Sequence, residues 1–435
     1  MKRKLVIATS VVLGLVVINV LLLTPLGLFE QKAEGSVRVY FADNISLGHQ
    51  AAIDLFNDRH RGAIEIVPVN LPFEKFTTNE RKELLARSLR SKSNRIDIFS
   101  VDHVWVPRFA KWAEPLDRHV GADIVANTLS YALESCRFDS QLVALPLYID
   151  IGVMYYRKDI IRRLPDGADI ERKLRSSMPW DEFLALRDRL GYRGKPYYVF
   201  QGKDYEGLMC NFFEILSGRD ALALERDGMN IETASGRGAL QFMVDLIGRY
   251  RTSPREVAGF DERLSYQYML DNDAVFVRGW PNFVENFRLT YADTAKLRSI
   301  AQAALPRFPG KPPCSVFGGW NLMIARSSAS KSEALEFARF LQTEEVQKLL
   351  FEQEGYIPIN RRVYDNVEYL RDHPDLAYNR QLIDHGFHRP ADEEYTRKSD
   401  ILSYYINGAL TGKLSVGEAL SRSAQMIRSN AMLLP

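Results

Sequence analysis

The residues that could do chemistry in this 435-residue chain are mostly arranged so that they do not spell a reaction. Four Gly-Lys pairs occur, at Gly194-Lys195, Gly202-Lys203, Gly310-Lys311 and Gly412-Lys413. None has the following Ser or Thr and the upstream Gly that let backbone N–H groups cradle a phosphate. There is no G-x-G-x-x-G and no H-E-x-x-H. His385 and His388 stand three apart, which alone is a weak metal signal, and they read better as surface residues. The single S-x-x-K, Ser328–Lys331, lacks the partner motifs of serine acyltransferases and reads as the start of a helix. Asp102 and Asp150 are a possible carboxylate pair, but glycoside hydrolysis needs two carboxylates about 5–10 Å apart across a sugar, and order along the chain does not supply that distance. Cys136, Cys210 and Cys314 form no C-x-x-C, so neither a zinc site nor a thioredoxin-like motif is expected; one pair could bridge in an oxidising compartment. No cofactor is implied.

Composition is that of a globular protein, with 46% hydrophobic and 26% charged residues and a net charge of +2. That balance carries no electrostatic footprint for nucleic acid. The run Asn79-Glu80-Arg81-Lys82-Glu83 reads as a solvated helix face.

The elements that would position a site begin after a distinct N-terminus. Lys2-Arg3-Lys4 precedes an uncharged stretch, Leu5 to Phe29, that would reach about 36 Å as a helix. Its basic flank places the body of the protein outside the cytoplasm. The reading preferred is an uncleaved signal anchor over residues 1–29, with a cleaved signal as the alternative, and a tether over 30–36. From there the pattern alternates. Strands are expected at Val37–Phe41, Ile64–Val69 and Ile96–Phe99, with helices at Gln50–Arg59 and Lys82–Arg90 between them. This implies a mostly parallel sheet flanked by helices. Val143–Arg157 is an apolar and aromatic run of the kind that passes between two lobes. A strong amphipathic stretch covers Gln241–Ile247, and strands are expected at Ala274–Val277 and Leu322–Ala325. One long helix is expected over Ser332–Glu354, ending at Gly355, and a capping box at Ser415 and Glu418 opens a last helix.

Five segments, in order, resemble the extracellular solute-binding proteins of carbohydrate ABC importers, nearest the trehalose/maltose-binding branch. They are IDIFSVDHVWVPRFAKWAEPLD (96–117), ALPLYIDIGVMYYRKDII (144–161), FQGKDYEGLMCNFFEIL (200–216), AVFVRGWPNFV (274–284) and FGGWNLMIARSSASKSEALEFARFL (317–341). The resemblance covers the chain from about residue 37 to its end. It implies an α/β fold of the periplasmic-binding-protein type II class, two α/β lobes joined by a hinge with the ligand cleft between them. The expected division is 37–147 with 290–340 in lobe 1, and 148–289 with 341–435 in lobe 2. The implied function is binding without catalysis. A di- or oligosaccharide closes the lobes and is delivered to ABC permease subunits in the membrane, with an anchored sugar sensor as the alternative. The chain is expected to act as a monomer on the periplasmic or extracellular face of the cytoplasmic membrane, anchored or exported, with a small-molecule sugar and no nucleic acid as ligand.

A pyranose has polar edges and apolar faces, so its site wants aromatic planes together with carboxylates, arginines and amides. The resemblance implies that Asp102 and Asp150 accept sugar hydroxyls, that Trp280 and Trp320 stack on the ring, and that Arg389 and Arg81 donate. Tyr148 and Gly319 lie at matching positions. In the turn after Phe41, where the branch often has Glu, Asn44 or Asp43 substitutes. Trp105, Trp112 and Trp180 are read as packing residues.

Overall fold

The computed structural model describes residues 35–72, 75–76, 78–91 and 96–429. The segment expected to be a membrane anchor, residues 1–29, and most of the tether lie outside these. Among the described residues no helix is long and apolar enough to cross a membrane.

Two sheets organise the chain. The first begins with β1 (Val37–Asp43), α1 (Leu47–Arg59), β2 (Ile64–Asn70), α2 (Thr78–Arg90) and β3 (Ile98–Asp102). β1 runs parallel to both β2 and β3, as short βαβ connections require. The helices bury one stripe each: Ala52, Ile53 and Phe56 from α1, and Leu85, Ala86 and Leu89 from α2. β4 (Leu145–Ile151) then enters the same sheet, and after Gly152 the chain leaves it as β5 (Val153–Arg157) of a second sheet. The second sheet adds β6 (Tyr198–Val199), β7 (Phe276–Gly279) and β8 (Ile300–Ala303), in the order β8-β5-β7-β6. The chain returns to the first sheet as β9 (Ser315–Ile324), which is antiparallel to both β3 and β4. All ten residues of β9 are buried, as are all seven of β4. A short β10 (Gly386–Phe387) pairs with the start of β9.

Helices cover both sheets. In the second lobe these include α3 (Glu206–Arg219), α4 (Ala234–Ile247) and α5 (Glu262–Asp271). α6 (Lys331–Leu341) and α7 (Glu344–Glu354) pack on the first lobe against α1. α8 (Pro374–Ile383) touches β4 and β9, whereas α9 (Tyr395–Leu410) and α10 (Val416–Arg428) pack on α3 and α4.

Four expectations change. The sheets are mixed rather than mostly parallel, because β9 inserts antiparallel into the first and the second is antiparallel across β8-β5-β7. The lobe boundaries shift: β4 stays in the first sheet to Ile151, β8 belongs with the second, and α7 packs on α1. The single helix expected over 332–354 is two helices, because Thr343 caps the second one, its hydroxyl accepting from Val346 N–H. The Asn79–Glu83 run is only half solvated: Glu80 and Glu83 are exposed, but Arg81 and Lys82 are buried. Gly355 does end α7 in the left-handed region (φ 73°), and the Ser415/Glu418 capping box is present. His385 and His388 do not share a helix, since β10 lies between them. All three cysteines are free.

Candidate functional site

The ends of β1, β3, β4, β7 and β9 converge where the two sheets face each other, and they carry the candidate residues. Gly318 lies opposite Asp150 in the β9–β4 register, and Trp320 lies opposite both Tyr148 and Asp102. A side chain at Gly318 would meet the Trp280 ring at 2.8 Å and the Asp150 Cβ at 3.1 Å. Trp280 of the second lobe therefore packs across the bare backbone of the first, beside Asp150. Gly319 holds φ at +119°, a conformation that L side chains rarely adopt, and a Cβ there would sit 2.5 Å from the Tyr148 carbonyl oxygen. The strand bulges immediately after, between Trp320 and Asn321.

Each lobe presents a tryptophan backed by an arginine. In the first, the Arg81 guanidinium lies 4.3 Å from the Trp320 ring centroid and donates to Asp43 Oδ1 at 2.9 Å. Trp320 also meets the edge of Trp105 at 5.9 Å, and Trp105 is core. In the second, Arg278 lies 4.0 Å from the Trp280 ring centroid and makes a two-point pair with Glu214, at 2.7 and 3.1 Å. Trp280 is fixed at its own polar points: its backbone N–H donates to Tyr266 Oη at 2.8 Å and its indole N–H to Glu262 at 3.3 Å. Strand alternation puts Arg278 and Trp280 on one face.

Asp102 ends β3, accepts from Val104 N–H, and pairs with Arg389 at 2.6 Å. Arg389 also donates to Glu206 at 2.6 Å and lies 3.0 Å from His103 Nε2. Burial first, and then the Arg389 charge, hold the His103 pKa well below its ordinary value. The ring is therefore neutral, and its Nε2 accepts from Arg389. Glu206 further accepts from Tyr395 and Ser399 hydroxyls. Tyr148 stacks face to face on Tyr356, centroids 3.9 Å apart with planes 2° from parallel. Asn44 lies in the turn after β1, its N–H donating to Asp43 Oδ1 at 2.6 Å.

Asp150 and Asp43 are the two buried acids with an orphaned oxygen among the described residues, and Asp43 has Arg81 as its ion-pair partner. Asp150 is 7% exposed, and its Oδ1 has no hydrogen-bond partner among the described residues. Burial pushes its pKa up to about 8, against the pull of Arg278 and with a push from Asp102. Arg278 is fully buried, yet its Nη1 likewise has no partner among the described residues.

The structure thus gathers Asp102, Tyr148, Asp150, Trp280, Gly319 and Trp320 along the facing ends of the two sheets. It engages Arg389 and Arg81 in ion pairs and leaves Asn44 at the margin. Sequence reasoning missed Arg278, Glu206, Glu214, Glu262 and Tyr356. The alternation in Val277-Arg278-Gly279-Trp280 was a usable signal for Arg278; the helix-borne acids had none. Among the described residues no cluster of His, Cys, Asp or Glu could hold a metal.

Two α/β lobes, with aromatic and charged side chains lining the crevice between them, define a hinged binding protein. The chain belongs to the bacterial extracellular solute-binding protein family, whose model matches residues 46–348; members of this family bind solutes and are not enzymes. It is 27% identical over 359 residues to a probable ABC transporter-binding protein of Deinococcus radiodurans, covering 79% of this chain and 82% of that protein. A putative binding protein of Brucella abortus is 22% identical over 354 residues, 80% of each chain. Among solved structures, maltose-bound MalE3 of T. maritima superposes with a TM-score of 0.80 at 24% identity, covering 91% of this chain and 100% of that one. The cyclic α-maltosyl-1,6-maltose binding protein of Arthrobacter globiformis gives 0.70 at 22% identity, covering 91% and 99%.

Proposed function

We propose that the cleft binds a neutral sugar of the di- or oligosaccharide class and hands it to an ABC permease in the membrane. The observation that carries this is a pair of orphaned atoms, one from each lobe. Among the described residues Asp150 Oδ1 is an acceptor without a donor, and Arg278 Nη1 is a donor without an acceptor. Buried polar groups are rarely left so. A hydroxyl, which donates and accepts at once, suits both. An ammonium would leave Arg278 unmet and oppose its charge.

Trp280 and Trp320, one from each lobe, offer planes for the apolar faces of the sugar. Tyr148 and Asp102 shape the wall between them. Gly319 lets β9 turn Trp320 inward. Arg81, Arg389 and Asn44 act by holding Trp320, Asp102 and Asp43 in place. Because the cleft is lined from one chain, a single copy suffices. Sugar touching both lobes favours the closed form by its differential affinity. The maltose and maltosyl ligands of the solved relatives support the sugar class, and the name of the Deinococcus relative favours import over sensing. The charge-free N-terminal stretch behind Lys2-Arg3-Lys4 would keep the lobes at the outer face of the membrane, as an anchor or an export signal.

The test is thermal unfolding of the full-length chain against mono- and disaccharides. A ligand at about a hundred times its dissociation constant stabilises by about 2.7 kcal/mol. A rise with one sugar, lost in Trp280→Ala, is the expected result. No rise with any sugar, together with a rise on adding an amino acid or a peptide, would overturn the reading.

A further inference from the structure

Outside the cleft wall, α9 of the second lobe reaches the first lobe through two side chains one turn apart, Thr396 and Asp400. The Asp400 carboxylate accepts from Asn79 Nδ2 at 2.9 Å and from Lys82 Nζ at 3.2 Å, both on α2. Thr396 Oγ1 accepts from Arg108 Nη1 at 2.8 Å, and the other terminal nitrogen of Arg108 pairs with Glu83 at 2.8 Å. Arg108 lies just beyond β3, so all three donors, and the Glu83 that supports Arg108, belong to the first lobe.

Lys82 is the telling residue. Its side chain is 2% exposed, whereas Asp400 is 40% exposed. Lysines are almost never fully buried without a partner. Among the described residues the ion pair of Lys82 is with the opposite lobe and none is with its own. A contact that served only to stabilise the first lobe would find its counter-ion there. The neighbouring Arg81 backs Trp320, so one turn of α2 presents one cation to the cleft and the next to the other lobe.

We propose that Lys82, Asn79 and Arg108, closing on Asp400 and Thr396, form an electrostatic latch between the lobes. These residues touch no ligand; they are positioning residues that set how often the lobes meet. The apparent dissociation constant of a ligand that needs the closed form scales inversely with the population of that form. The latch therefore tunes affinity from outside the site. It rests on the two-lobe architecture and not on the identity of the ligand.

The test reads lobe separation directly. Spin labels are placed at two exposed positions, Asp58→Cys on α1 and Asp169→Cys in the second lobe, in a Cys314→Ala background because Cys314 is not fully buried. Distances are measured on the full-length chain without sugar, at low and high salt. In the otherwise unmodified chain the short-distance population should fall as salt screens the pair. Asp400→Asn should lower it several-fold at low salt and abolish the salt response, Asp400→Glu should restore it, and Thr396→Val should lower it modestly. Identical distributions in Asp400→Asn, Thr396→Val and the unmodified chain, with intact far-ultraviolet circular dichroism, would overturn the latch. Maltose titration adds the linked readout, an approximately fivefold weaker affinity in Asp400→Asn, equivalent to about 1 kcal/mol. If maltose binds neither protein, the sugar reading loses support while the distance comparison still decides the latch.

Discussion

The two lobes solve the same local problem differently. Each stacks a fully buried arginine behind a tryptophan at the cleft: Arg81 behind Trp320, and Arg278 behind Trp280. In the first lobe the tryptophan is 8% exposed, with Trp105 at its edge, so it is as much core as site. In the second it is half-buried, pinned by Tyr266 and Glu262, and laid over Gly318 of the other lobe. Asp43, the anion of the first arginine, also receives the Asn44 N–H and has His49 at 3.8 Å. Glu214 takes two hydrogen bonds from Arg278 and lies 3.4 Å from the Val316 N–H. The first pair is built into a lobe; the second is built to meet something across the gap.

Removing the arginines should separate the two most strongly. Arg278→Met leaves Glu214 buried without its counter-charge and should destabilise by about 3–5 kcal/mol. The double change with Glu214→Leu should recover most of that in denaturant unfolding. Arg81→Met should cost less, because Asp43 keeps other partners; equal losses would erase the distinction. The tryptophans come next. Trp320→Ala should lower stability by about 3 kcal/mol, the usual range for a large buried aromatic. Trp280→Ala should leave stability within about 1–2 kcal/mol yet weaken sugar binding by an order of magnitude or more, read by calorimetry.

Asp150 sharpens the comparison through pH. Its folded pKa is raised, to about 8, so the folded chain holds a proton that the unfolded chain has released. The stability this contributes is complete below about pH 4 and is lost as pH rises towards 8. The slope from this one group is about 1.4 kcal/mol per pH unit across that window, and Asp150→Asn should remove it. Sugar hydroxyls donating to the carboxylate favour its ionised form, so binding near pH 7 should release a proton, seen as a dependence of binding heat on the buffer. The smallest effect is expected on the surface. The Arg172–Asp169 pair is exposed on both sides, and Asp169→Asn should change stability by less than about 0.5 kcal/mol.

Much of this was legible in the sequence. Strands β1 to β3 and their helices follow from local periodicity, which a chain carries wherever it folds. The aromatic run through Tyr148 and Asp150 marked the passage between lobes, and the family resemblance marked Gly319 and Trp320 as site positions. What the sequence did not determine was pairing at a distance. The antiparallel entry of β9, the burial of Arg81 and Lys82 inside a run that looks solvated, and the partnership of Arg389 with Asp102 and Glu206 join residues separated by up to 318 positions. No periodicity records which carboxylate meets which cation. Tertiary packing decided that, because a charge taken out of water needs its partner within hydrogen-bond reach, and only the assembled lobes bring the two together.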